Sequence, residues 1–182
     1  MSHKPFSLEI RSVTGGADLD EVRSFLRAYT SFLAAATTPG DIDLDRRLAE
    51  LADLPGPNVP PLGALLLALV DGEPAGCVAF GPITLPSGST AAELRRMWVS
   101  PSFRGHAIGR SQVMEASSRA HSAGHNAIYL DCLFAVMPPA IRLYRAIGFE
   151  PTERYKNDHS VAETTFFRLD LSQQAPARPT AY

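Results

Sequence analysis

The sequence predicts an α/β fold: helices packed on a mixed sheet, not an all-parallel one. Three observations point there. Apolar residues recur at helical spacing near the N-terminus. They then give way to continuous apolar runs joined by tight turns, which read as a meander of strands. Further on, a helix, a strand and a helix alternate before two closing strands.

The elements follow in order. Leu8 to Val13 alternates apolar and polar residues, as a half-buried strand does. Gly15-Gly16 breaks it. Asp18 with Glu21 resembles a capping box, and Leu19, Val22, Phe25, Leu26, Tyr29 and Phe32 then define a helix of about 18 residues. A second helix is expected over Leu44 to Leu54, opened by Asp41, Asp43 and Asp45, whose charges favour a helix N-terminus. Leu54 to Pro61 carries four prolines and reads as a loop packed across the sheet. Ala64 to Val70 is continuously apolar, as in a strand buried on both faces. Asp71-Gly72 turns it into Ala75 to Phe80, and Ser87-Gly88-Ser89 turns again into Ala92 to Val99. Ile108 to Ala123 is a helix ended by Gly124, and Ala127 to Leu133 an apolar strand. A helix opens at Pro138-Pro139 and closes at Gly148. Phe149 to Arg154 and Thr164 to Leu171 are strands, and 172–182 reads as a disordered tail.

Composition limits the function. The chain has 182 residues, enough for one domain, expected over 1–171. It is 45% hydrophobic and 20% charged, which suits neither a disordered chain nor a membrane bundle. With 17 basic and 19 acidic residues the net charge is −2, against a nucleic-acid binder. The longest apolar stretch, Ala64 to Val70, is far short of the ~20 residues that span a bilayer, and no signal-peptide run opens the chain. Cys77 and Cys132 form neither a disulfide framework nor a CxxC metal pair. A cytoplasmic setting with no metal, no membrane and no nucleic-acid partner is the expectation. Arginine outnumbers lysine 15 to 2, as a GC-rich coding genome favours.

The chemistry-bearing feature is Arg104-Gly105-His106-Ala107-Ile108-Gly109-Arg110, between a strand and a helix. Small residues at 105, 107 and 109 let the backbone turn tightly. The amides of such a turn and of the helix N-terminus converge into an anion site, with Arg104 and Arg110 beside it. A Walker loop is excluded, because no Gly-Lys-Ser/Thr occurs. By itself the loop is a weak signal, the plain alternative being a tight turn at a helix start.

Residues Arg95 to Arg110 closely resemble the acetyl-CoA-binding motif of the GNAT superfamily of N-acetyltransferases. Ala140-Ile141-Arg142-Leu143-Tyr144-Arg145-Ala146-Ile147-Gly148-Phe149 looks like that family's A-x-x-L-Y-x-x-x-G-F stretch. The resemblance covers about residues 6 to 171. It implies a mixed, mostly antiparallel sheet of six to seven strands flanked by about four helices, and acetyl-CoA as co-substrate. It implies that Met97, Trp98 and Val99 bind the pantetheine arm. Arg104, Gly105, His106, Ala107, Ile108, Gly109 and Arg110 would hold the pyrophosphate. Three positions depart from the motif: Ala107 replaces a more usual glycine, His106 stands at a permissive position, and Met137 stands where many members carry an asparagine that touches the cofactor.

Acetyl transfer needs a neutral amine, a donor to the thioester oxygen, a proton for the leaving thiolate, and close approach. The resemblance places Tyr144 as the general acid, and a tyrosine with an ordinary pKa near 10 keeps its proton at pH 7. The plain alternative is a core tyrosine. It places Glu93 as the general base, the plain alternative being an ion pair with arginine. Strict alternation would put Glu93, Arg95, Met97 and Val99 on one face of their strand. Asp131 is costly inside an apolar strand unless paired, so a structural role is expected for it. Cys132 reads as a buried inert thiol. Tyr29, Arg95, Tyr155 and His159 are candidates for the acceptor pocket. The reading is an N-acetyltransferase acting on a primary amine of a small or amino-acid-like molecule. The alternatives are a protein or peptide N-acetyltransferase and a non-catalytic acyl-CoA-binding module. A homodimer is open by analogy. The arginines Arg95, Arg96, Arg104 and Arg110 are expected to form one patch suited to a phosphorylated cofactor.

Overall fold

The computed structural model describes residues 6–38, 43–156 and 164–172. Among them, seven strands form one sheet: β1 (Leu8–Ser12), β2 (Ala64–Val70), β3 (Glu73–Thr84), β4 (Thr90–Val99), β5 (Ala127–Leu133), β6 (Glu150–Thr152) and β7 (Thr164–Asp170). Their order is β1-β2-β3-β4-β5-β7-β6. Every neighbouring pair is antiparallel except β4 and β5. Helices α1 (Gly16–Ala36) and α2 (Leu44–Ala52) cover one face. Helices α3 (Ile108–Ser122) and α4 (Pro138–Ile147) cover the other. Among the described residues no helix is long and apolar enough to cross a membrane.

The core explains these elements. All seven residues of β2 are buried, because helices lie on both sides of it. Asp71 and Gly72 both have positive φ, 50° and 86°, as a two-residue hairpin turn demands. On α1, Leu19, Val22, Leu26, Thr30 and Leu33 face the sheet at steps of three and four. Gly148, at φ 111°, ends α4 and returns its amide to Tyr144 and Arg145 carbonyls.

Two expectations change. Asp18 is no cap: α1 begins at Gly16, and Asp18 is gripped by Arg11 Nε and Nη2 at 2.9 and 2.8 Å. The carboxylate fastens the helix to β1 instead. The proline-rich loop does lie on the sheet: Asn58 is buried, and a Cβ on Gly63 would meet Pro57 O at 2.7 Å and Phe80 O at 2.8 Å. It sits beside α2 and lines a small pocket with Glu50 and Arg96. The predicted tail lies outside the described residues from 173 on. Its first residue, Ser172, is tied by its amide to Asp170 at 2.9 Å.

The second change shapes the site. On β3, Ala79 faces Arg95 but Cys77 faces Trp98, so an extra residue is inserted in β4. Arg96 absorbs it with a left-handed φ of 56°. The bulge inverts the alternation. Glu93, Arg95, Arg96 and Trp98 face α1 and α2, whereas Leu94, Met97 and Val99 face α3 and α4. Glu93 and Arg95 therefore do not share a face with Met97 and Val99. Beyond the bulge side, β4 pairs with β5 only at Ala92–Ile128 and Glu93–Tyr129. After Glu93 the two strands part.

Candidate active site

Where β4 and β5 part, a cleft of about 730 Å³ opens toward α3 and α4. Its wall is Met97, Trp98 and Val99, and its rim is the loop before α3. A 3-10 turn (Pro101–Phe103) leads into that loop. Gly105 has φ 85°, and Ala107 is left-handed at φ 58°, ψ 11°. No side chain caps α3, so its first amides face the cleft rim unpartnered by a cap. Arg104 stacks 4.9 Å from the Trp98 ring centre, and its Nε donates to Val99 O at 3.1 Å. Arg110 lines the same rim and reaches Ala146 O on α4 at 3.4 Å. Nine of the ten residues expected around a cofactor line this cleft. His106 does not; its ring bonds the Phe103 and Arg104 carbonyls at the surface.

Tyr144, on α4, is buried at the floor of the gap with Leu94, Leu130 and Cys132. Its hydroxyl donates to Met97 Sδ at 3.5 Å, a weak acceptor. Burial, seconded by the neighbouring Cys132, holds its pKa well above the usual tyrosine range, so it keeps its proton. Cys132 Sγ lies 3.6 Å from Met137 Sδ, and burial pushes the thiol up to about 12. It is an inert neighbour, as is Cys77, likewise pushed by burial to about 12. Met137 lines the cleft with a thioether where an amide was the motif's habit.

Glu93 is 6% exposed and fully engaged on one oxygen: Oε1 accepts from Tyr155 Oη at 2.8 Å and from Lys156 Nζ at 2.8 Å. Lys156 also donates to Asp131 at 2.7 Å. Arg95 Nε stands 3.4 Å from Glu93 Oε2, close enough to pair but not aligned for a hydrogen bond. Burial alone would lower the Lys156 pKa, but Asp131 and Glu93 outweigh it and raise it above the ordinary lysine range. Asp131 is thus paired at the pocket surface and not sunk in the core.

The sequence matches the Acetyltransferase (GNAT) family over residues 25–149. The chain belongs to this family. It is 30% identical over 171 residues to an uncharacterised N-acetyltransferase of Schizosaccharomyces pombe, covering 93% of this chain and 99% of that one. Its fold matches yncA of Salmonella typhimurium, solved with acetyl-CoA, with a TM-score of 0.62, 22% identity and coverage of 93% and 98%. It also matches a GNAT acetyltransferase of Staphylococcus aureus with a TM-score of 0.69, 18% identity and coverage of 91% and 99%.

On the far face of the sheet this GNAT acetyltransferase carries a second, polar pocket of about 310 Å³. It lies under α1 and α2 and is lined by Tyr29, Glu93, Arg95, Arg96, Asp131 and Lys156, with Arg46, Arg47 and Glu50 of α2. A narrow space holding Tyr29, Met97, Met137 and Tyr144 sits between the two pockets, at the parting of β4 and β5. Tyr29 borders all three spaces. Arg95 and Arg96 belong to this polar pocket, so the expected single arginine patch is divided: Arg104 and Arg110 line the cleft, Arg95 and Arg96 the polar pocket. Tyr155 is buried behind Glu93, between Tyr129 and Phe166, and meets the pocket's lining through that carboxylate and through Lys156, whose ammonium lies 5.7 Å from the ring centre. His159 lies outside the described residues. Lys156, Arg46 and Arg47 were not anticipated. The paired arginines in Leu44-Asp45-Arg46-Arg47-Leu48 were the available signal, since only a folded chain shows which side of α2 they take.

Proposed function

We propose that the chain transfers an acetyl group from acetyl-CoA to a primary amine of a small, amino-acid-like acceptor, both bound together. The passage between parted β4 and β5 carries this reading. It joins an apolar cleft with an anion-ready rim to a polar pocket under α1 and α2. The residues present fit the cofactor: uncapped α3 amides and two arginines for phosphates, and a mainly apolar wall for the arm. When bound, acetyl-CoA supplies an activated thioester. Past Glu93, the edge of β4 facing β5 is free of strand pairing, so its backbone groups can hold a polar chain or a developing oxyanion.

In this reading Glu93 and Asp131 hold the acceptor ammonium and take its proton, directly or through water, with Glu93 Oε2 the oxygen not taken by Tyr155 or Lys156. Tyr144 gives its Oη proton to the leaving thiolate, exchanging a weak bond to Met97 for a charge-assisted one. A pocket of 310 Å³ suits a small acceptor better than a peptide, which needs an open groove.

The test is acetyl-CoA binding by calorimetry, with thiol release followed over an amine panel. A Cβ on Gly109 would press on the flexible tip of Met97, at 2.9 Å, and otherwise stand at ordinary contact distance from Leu143 and Val99, at 3.4 and 3.6 Å. Gly109→Ala should therefore keep cofactor affinity, while Gly109→Glu, adding bulk and charge at the rim, abolishes it. Unchanged affinity in Gly109→Glu removes the cofactor from this cleft, and a wild type that turns over no amine removes the acceptor assignment.

A further inference from the structure

We infer that the acceptor carries an oxyanion group (carboxylate, phosphonate or phosphate) beside its amine, and that Arg47 and Arg96 receive it. This rests on the polar pocket being the acceptor site. Five cationic side chains line that pocket, Arg46, Arg47, Arg95, Arg96 and Lys156, against three carboxylates, Glu50, Glu93 and Asp131. Most are spoken for. Lys156 is shared by Glu93 and Asp131, and Arg95 stands against Glu93. Arg96 Nη2 meets Glu50 Oε2 at 3.3 Å, and the exposed Arg46 reaches the same carboxylate at 3.9 Å. Arg47 lines the pocket half-buried and has no carboxylate partner among the described residues. Arg96 Nε is buried with no hydrogen-bond partner. A buried donor left unmet calls for an acceptor.

Arg96 also shows the missing charge. Burial lowers its pKa most, Glu50 opposes this, and the neighbouring Arg95 and Arg47 lower it further. Three guanidiniums crowd one space with too little anion between them. The pocket is polarised in the useful sense. Glu93 and Asp131 stand at the strands, where an amine must arrive, and Asp131 also borders the passage. Arg46 and Arg47 stand opposite on α2, with Arg96 tied to that helix through Glu50. A molecule with an amine at one end and an oxyanion at the other fits this polarity in one orientation, amine toward the gap.

Matched probes test it: L-amino acids against their amides and decarboxylated amines, and O-phosphoethanolamine against ethanolamine. The anionic member of a pair should have kcat/KM at least about tenfold higher, the size expected for one charge-assisted contact. The two sets distinguish carboxylate from phosphate. Arg47→Gln should raise KM for the anionic member about tenfold, leaving kcat, the uncharged member and the KM for acetyl-CoA unchanged. Arg47→Lys should restore part of the preference. Equal kcat/KM within pairs, or an Arg47→Gln loss shared by both members, overturns the inference. Saturation-transfer NMR of the same pairs on protein loaded with CoA gives an arm independent of turnover. Anionic members binding preferentially while no amine is acetylated would uphold this inference and defeat the catalytic reading. No preference in binding would defeat this inference alone.

Discussion

The ammonium of Lys156 lies 2.8 Å from Glu93 Oε1 and so balances a carboxylate that is 6% exposed. Removing one partner of such a pair leaves the other desolvated and uncompensated. Lys156→Met should cost about 1–3 kcal/mol, the range for leaving a buried polar group unmet and below that for an isolated buried charge, because Tyr155 and Arg95 still face Glu93. The pH dependence follows from the raised lysine pKa. A raised pKa in the folded state stabilises fully below the unfolded value and is lost as pH rises through the folded one. The stability gap between wild type and variant, read by urea denaturation, should therefore stay flat from pH 7 to 9. It should close only above about pH 10.4. A gap that closes near neutrality would show that another group governs the pair.

Tyr144→Phe removes a hydroxyl that donates to a weak acceptor, Met97 Sδ. The expected loss in kcat is 10²- to 10⁴-fold, about what a positioned general acid contributes. Acetyl-CoA affinity should not change. Because burial keeps this hydroxyl protonated well beyond its usual range, the wild-type kcat should show no alkaline fall below about pH 10 from loss of the acid. Full turnover in the variant would assign the proton to water.

The fold was legible wherever local pattern and tertiary role agree. The apolar run 64–70, the Asp71-Gly72 turn and the Gly148 stop each name their structure, because burial on two faces or a positive φ leaves few alternatives. The bulge at Arg96 was not legible. Arginine gives no signal for a left-handed φ, and alternation read through it misassigned the face of Met97 and Val99. The rim of the cleft was readable because its residues are contiguous. The polar pocket draws on α1, α2, β4, β5 and Lys156, distant in sequence, so Glu50–Arg96 and Lys156–Asp131 exist only once the chain is folded.

Gly76 tests how tightly β3 supports the cleft wall. A Cβ there would stand 2.4 Å from Trp98 O and 3.0 Å from Gln112 Nε2, and the first of these is backbone. Gly76→Ala must displace β4 at Trp98, which overpacking puts at about 1–3 kcal/mol. The displaced strand is the cleft wall, so acetyl-CoA affinity should fall with stability. Loss of stability at unchanged affinity would show that the wall moves as a unit with β3.

Ala107 offers the opposite case. It occupies a left-handed position, φ 58°, at the N-cap of α3, with no side-chain hydrogen bond to justify it. An L-residue pays about 1–2 kcal/mol there that glycine avoids, while glycine costs more entropy in the unfolded chain. The balance predicts that Ala107→Gly raises stability by about 0.5–1 kcal/mol. The same substitution widens the space above the loop without removing an amide, so acetyl-CoA affinity should hold or rise. Denaturant midpoints and calorimetry check both. A destabilised variant would mean that the alanine methyl makes contacts at the rim worth more than the strain it imposes.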